Sequence, residues 1–126
     1  MPFVTLTVRK PKTTAFKDAV LGAVHAALVK TGVPKNDLFH RVFELDAADF
    51  RFDTTYPELQ SGRSEDFALI EILLSVGRSV KVKKQIVQDV VAALAGAGMR
   101  PDDVMICFKE TQWENWSFAG GTLLHT

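Results

Sequence analysis

One cysteine in 126 residues, Cys107, leaves no partner for an intrachain disulfide and no thiolate cluster for a metal, and it fits a reducing compartment. With Ile106 and Phe108 beside it, Cys107 is expected to fill the core rather than act as a nucleophile. Charge of one sign is missing too. The fifteen basic and fifteen acidic residues cancel, so nothing in the composition attracts a polyanion and nucleic acid is not an expected partner. Lys81, Lys83 and Lys84 read as a solvated helix face. No apolar run approaches the ~20 residues that span a bilayer. Arg9, Lys10 and Lys12 interrupt the amino-terminal apolar stretch too early for a signal peptide. A cytoplasmic chain with no membrane partner is expected. The three histidines, His25, His40 and His125, fall in a helix, a strand and the tail without ligand spacing, so no metal site is predicted. Gly120-Gly121 follows no strand-to-helix signature and is not a phosphate loop.

What is present is a 47% hydrophobic content with clear periodicity, on a length that suits one compact domain over 1–126. Residues 3–8 (FVTLTV) alternate apolar side chains with Thr, which predicts a strand. Thr13 or Thr14 caps a helix whose apolar positions run from Phe16 through Val20 and Val24 to Leu28 at three- and four-residue steps. Gly32 ends it and Pro34 prevents its resumption. Residues 38–45 read as a second strand, followed by a polar segment over 46–65 with a possible short strand at 50–52. Residues 67–74 (FALIEILL) predict a third strand. Ser79 then opens a helix carrying Ile86, Val90 and Leu94, which Gly96 and Gly98 close before a strand at 104–108. Residues 113–121 form an aromatic tail ending in glycine.

The halves repeat. A shift of 66 pairs Ser79 with Thr13, Ile86 with Val20, Val90 with Val24, Leu94 with Leu28, Gly98 with Gly32, Asp103 with Asp37 and Glu110 with Glu44. This predicts an α+β fold of two β-α-β units, about 2–45 and 67–110. Each joins parallel strands through a right-handed crossover helix, and both helices lie on one face of a single mixed sheet. The opposite face then needs covering, which points to neighbouring subunits. The same shift sets Pro2 against Ala68, inside a strand, so the amino end is expected to be anchored rather than frayed.

Removal of Met1 would leave Pro2 with a secondary amine. An α-amine titrates near pH 8, and burial or a nearby cation lowers that value, so it can serve as general acid or base near neutrality. Arg78, just before the Ser79 cap, lies where a strand ends and a helix begins. Ligands favour that location, and a guanidinium fork suits a carboxylate there. Asp37 occupies the turn before the second strand, where it could orient the amine or a water; a turn-capping role explains Asp37 and Asp103 equally. Trp116 and Phe118 either line an apolar pocket or pack in the core.

Met1-Pro2 before a strand, the paired units, Pro34-Lys35-Asn36-Asp37, Val76-Gly77-Arg78-Ser79 before Lys83-Lys84, and Glu114-Asn115-Trp116-Ser117-Phe118 together resemble the tautomerase superfamily. Within it they resemble the malonate semialdehyde decarboxylase-like branch. The resemblance implies a homotrimer in which an amino-terminal proline works with cationic residues on small 2-oxo acids and their enols, without metal or organic cofactor. Pro2 matches the catalytic proline, Asp37 the acidic residue of that branch, and Arg78 the second of its two active-site arginines. Trp116 and Phe118 match positions of its apolar pocket, which favours a substrate with an aromatic portion. Where the decarboxylase has its first arginine, this chain has Val76. The leading expectation is therefore keto–enol proton transfer on an arylpyruvate-type 2-oxo acid. The alternatives are decarboxylation or hydration of a malonate semialdehyde-like three-carbon oxo acid, and a non-catalytic oligomeric ligand-binding protein of the same fold.

Overall fold

The structure, a computed structural model, describes residues 2–123, so His125 lies outside it. The elements are β1 (Phe3–Arg9), α1 (Thr14–Lys30), β2 (His40–Leu45), β3 (Ala68–Ser75), α2 (Val80–Gly96) and β4 (Val104–Thr111), with 3-10 turns at Pro101–Asp103 and Trp113–Asn115. The sheet order is β2-β1-β3-β4. Strands β1 and β2 are parallel, as are β3 and β4, while β1 meets β3 antiparallel. These are the two β-α-β units and the mixed sheet that the periodicity predicts.

Strand alternation decides which face is buried. Val4, Leu6 and Val8 of β1 join Ile70, Ile72 and Leu74 of β3 in one core with Val20, Val24 and Leu28 of α1 and Ile86, Val90 and Leu94 of α2. The intervening side chains, among them Phe3, Leu69 and Leu73, point away from the helices. On β4 the same period places Ile106 and Phe108 against the core and leaves Cys107 exposed. The expectation of a buried Cys107 is thus corrected, because position in the alternation outweighs the character of adjacent residues. Among the described residues no helix is long and apolar enough to cross a membrane.

The 66-residue repeat extends to individual bonds. Thr13 Oγ1 accepts from Phe16 N at 3.0 Å, and Ser79 Oγ accepts from Val82 N at 3.2 Å. Beyond the helices, Val33 N donates to Leu28 O and Met99 N to Leu94 O, at 3.3 and 2.9 Å. Past the first strand of each unit, Lys10 N donates to Leu45 O and Val76 N to Thr111 O, at 2.8 and 2.9 Å. Even the ion pairs repeat, with Lys17–Glu44 at 2.6 Å and Lys83–Glu110 at 2.9 Å. The hydrogen bond from Lys17, then that from the Lys12 backbone, lowers the Glu44 pKa. Thr13→Ala and Ser79→Ala should each cost about 1 kcal/mol, read as a lower urea midpoint at unchanged slope. A loss at only one cap would contradict their equivalence.

Strands β1, β3 and β4 run on to Arg9, Ser75 and Thr111, past the expected ends at residues 8, 74 and 108, and two further differences are larger in consequence. Strand β2 begins at His40 rather than residue 38; Leu38 and Phe39 are 48% and 43% exposed, although Phe39 O still accepts from Val4 N at 2.9 Å. No strand forms at 50–52. Phe50 and Phe52 instead pack on the buried Phe67, with ring centroids 5.7 and 4.4 Å away, and the Arg9 guanidinium lies 4.1 Å over Phe52. Ring burial, not ladder pairing, organises that segment.

Candidate active site

Pro2 is buried at the entry to β1. The antiparallel register pairs Phe3 with Leu73; continued by one residue, it sets Pro2 against Leu74 and next to Ser75. On the other side, Val4 pairs with His40, and the register continued by two residues brings Pro2 beside Leu38, next to Asp37. The amino end of β1 is thus held between the end of β3 and the turn entering β2. Asp37 belongs to that turn, with its N–H donating to Pro34 O at 3.0 Å. Its repeat mate Asp103 has the same backbone bond to Arg100 O, and its carboxylate accepts from Ser64 N at 2.7 Å and Ser64 Oγ at 2.6 Å.

Arg78 follows β3 through Gly77, whose φ of 122° lies in the left-handed region that glycine adopts without strain. That turn lets the Arg78 Nη1 donate back to Ser75 O at 3.3 Å. Its repeat mate Lys12 makes the corresponding bond, Nζ to Arg9 O at 2.8 Å, and also lies 3.5 Å from the Asp66 carboxylate. The described ion pairs include no acidic partner for Arg78 within 4.0 Å.

The tail brings Trp116 and Phe118 to the same place. Trp116 Nε1 donates to Ser75 Oγ at 2.9 Å, and Trp113 Nε1 donates to Val76 O at 2.9 Å. Four rings then form a row with small interplanar angles: Trp116–Phe118 at 5.4 Å and 9°, Phe118–Phe39 at 5.8 Å and 19°, Phe39–Phe3 at 6.5 Å and 16°. Phe39 and Phe118 stay 43% and 40% exposed, so the row lies at the surface rather than filling the core. Of the sequence-predicted residues, Pro2, Asp37, Arg78, Trp116 and Phe118 converge on the junction of the β1 start with the β3 end. Phe3, Phe39, Ser75 and Trp113 also belong there and were not singled out from the sequence. The shift of 66 pairs Trp116 with Phe50 and Phe118 with Phe52, a signal that marks both aromatic pairs as parts of the repeat.

Phe3 also borders a separate cavity of about 510 Å³ on the helix-free face, where the Arg41 guanidinium lies 5.2 Å over Phe3 and 4.8 Å over Phe43. Beside it, Lys109 is paired with Glu71, and that hydrogen bond raises the lysine pKa. His25 and His40 do meet, ring centroids 5.7 Å apart and T-shaped; burial, then the charge of His25, lowers the His40 pKa. Among the described residues no group of three or more His, Cys, Asp or Glu could hold a metal ion.

The chain belongs to a family of tautomerase enzymes, whose model matches residues 37–119. Asp37, Arg78, Trp116 and Phe118 fall inside the matched region, and Pro2 precedes it. A probable tautomerase of Bacillus subtilis strain 168, YusQ, is 26% identical over 123 residues, covering 96% of this chain and 95% of that one. The crystal structure of a malonate semialdehyde decarboxylase is 28% identical with a TM-score of 0.86, covering 96% of this chain and 93% of the other. A fused 4-OT, a symmetric trimer, shares the fold at 24% identity and a TM-score of 0.74, covering 96% and 94% of the two chains.

Proposed function

We propose that the protein is a tautomerase that moves a proton between carbon and oxygen of a 2-oxo acid of the arylpyruvate type. Pro2 is its general acid/base, Arg78 its carboxylate clamp and Asp37 the partner of the amine. The observation that carries this reading is the ring row of Trp116, Phe118, Phe39 and Phe3 beside the cation of Arg78, at the end of the sheet where Pro2 enters. An aryl group has a flat apolar surface to lie on, and the substrate carboxylate has a guanidinium fork. Arg78 also favours the enolate-like charge of the transition state over the ground state.

The other end of the repeat supports these roles. There Lys12, the mate of Arg78, has a carboxylate next to it, that of Asp66. Asp103, the mate of Asp37, uses its carboxylate to receive the N–H of Ser64, on the chain leading into β3. At the Pro2 end the Asp37 turn borders the start of β1, where a chain that begins at Pro2 offers the proline amine as a donor. A cytoplasmic homotrimer needing no cofactor completes the reading: Phe43 and Met105 on the helix-free face are 42% and 47% exposed, and a neighbouring subunit would cover them.

Decarboxylation or hydration of a three-carbon oxo acid is the second reading, favoured by the likeness to malonate semialdehyde decarboxylase. Val76, two residues before Arg78, supplies no second cation and weighs against it. Protein verified by mass to begin at Pro2 should ketonise phenylenolpyruvate and release little carbon dioxide from malonate semialdehyde. The reverse ranking would establish the decarboxylase reading instead.

A further inference from the structure

We propose that Ser75 is a positioning residue that fixes the aromatic wall relative to the carboxylate clamp, and thereby sets a preference for aryl over alkyl 2-oxo acids. The inference rests on the roles given above to Pro2, Arg78 and Trp116. Ser75 is the last residue of β3 and is 0% exposed. Its carbonyl accepts from Arg78 Nη1 at 3.3 Å while its hydroxyl accepts from Trp116 Nε1 at 2.9 Å. One residue thus touches both the clamp and the wall. A buried hydroxyl is unfavourable unless it is hydrogen-bonded, and here the indole supplies the bond.

The repeat provides an internal comparison. Arg9 occupies the place of Ser75 in the first unit, and its carbonyl accepts from Lys12 Nζ at 2.8 Å, so the bond from carbonyl to cation is common to both ends. The bond to the wall is not. Phe50 replaces Trp116 and has no ring N–H, and Arg9 instead holds that segment through its Nε to Phe50 O at 2.8 Å and its guanidinium over Phe52. The hydroxyl-to-indole bond therefore belongs only to the end that carries Pro2, as a device for substrate selection would.

Ser75→Ala removes the acceptor and leaves the carbonyl bond to Arg78 in place. Exchange of the C3 proton of phenylpyruvate and of 2-oxobutanoate, followed by proton NMR in deuterated water, reads the selectivity. The variant should lose about tenfold in kcat/KM for phenylpyruvate, the scale of one buried N–H left unsatisfied. The loss should appear in KM, with kcat within about twofold, and 2-oxobutanoate should be nearly unaffected. Ser75→Thr keeps the hydroxyl on a β-branched residue suited to a strand and should restore the ratio. In a Trp113→Phe background, Trp116 emission should shift on Ser75→Ala and return with Ser75→Thr. Equal losses on both acids, or unchanged emission, would overturn the positioning role. A parent protein inert on both acids whose Trp116 emission still shifts would instead sink the substrate reading and leave the role of Ser75 in the wall standing.

Discussion

Chains that begin at Pro2 are expected to turn over phenylenolpyruvate about 10²- to 10⁴-fold faster than chains whose Pro2 nitrogen lies in a peptide bond, the range a positioned general acid/base contributes. An amide nitrogen has no basicity, so one bond abolishes the proton carrier while leaving every other group present. The start of β1 is paired on both sides, to β2 and to β3, so the fold has no need of the extra residue. Pro2→Ala is a milder change. Once its Met1 is removed, that variant carries a primary amine at the same strand position, and its activity should fall between those of the two forms. Thermal midpoints within a degree or two of one another would show that the loss is chemical.

Arg78→Ala should lower kcat/KM by about 10- to 100-fold, corresponding to the ~1.5–3 kcal/mol of a hydrogen bond to a charged group. Arg78→Lys should recover only part of this, since an ammonium keeps the charge but not the planar fork. A second signature separates substrate binding from structure. A cation near an amine disfavours the protonated form, so removing it should move the amine-dependent inflection of the pH–rate profile to higher pH. Stability should change little, because the Arg78 contact described is one 3.3 Å bond to the Ser75 carbonyl. An unchanged pH profile together with an unchanged KM would place Arg78 outside the site.

Most of the fold was legible because the repeat carries two kinds of information at once. Periodicity located the helices, and the pairing of Thr13 with Ser79 and of Gly32 with Gly98 marked their ends, whereas the ion pairs that Glu44 and Glu110 make with the helices emerged only in the structure. What the pattern misplaced was local. Cys107 has apolar neighbours but lies on the outward side of β4, and a hydrophobic triplet says nothing about which side its middle residue faces. Phe50 and Phe52 alternate like a strand, yet their rings are satisfied by Phe67 and by Arg9 rather than by a partner ladder. The polar segment over 46–65 lies within the chain at the Phe67 end of the sheet, opposite in the repeat to Pro2.

The candidate site was half legible. Pro2, Arg78 and Asp37 stand at element ends, where sequence signals are strongest. Ser75, Phe39 and Phe3 join it through contacts made in three dimensions: a serine at the end of an apolar strand gives no hint that an indole 41 residues later will bind it.

The central claim is that the Pro2 amine carries the proton. It is tested most directly by following phenylenolpyruvate ketonisation on one preparation of Met1-retaining protein while a methionine aminopeptidase converts it, with intact mass measured at each time point. The rate should rise in proportion to the fraction of chains that begin at Pro2. A rate that is already full before processing, or that stays flat as Met1 is lost, would contradict it.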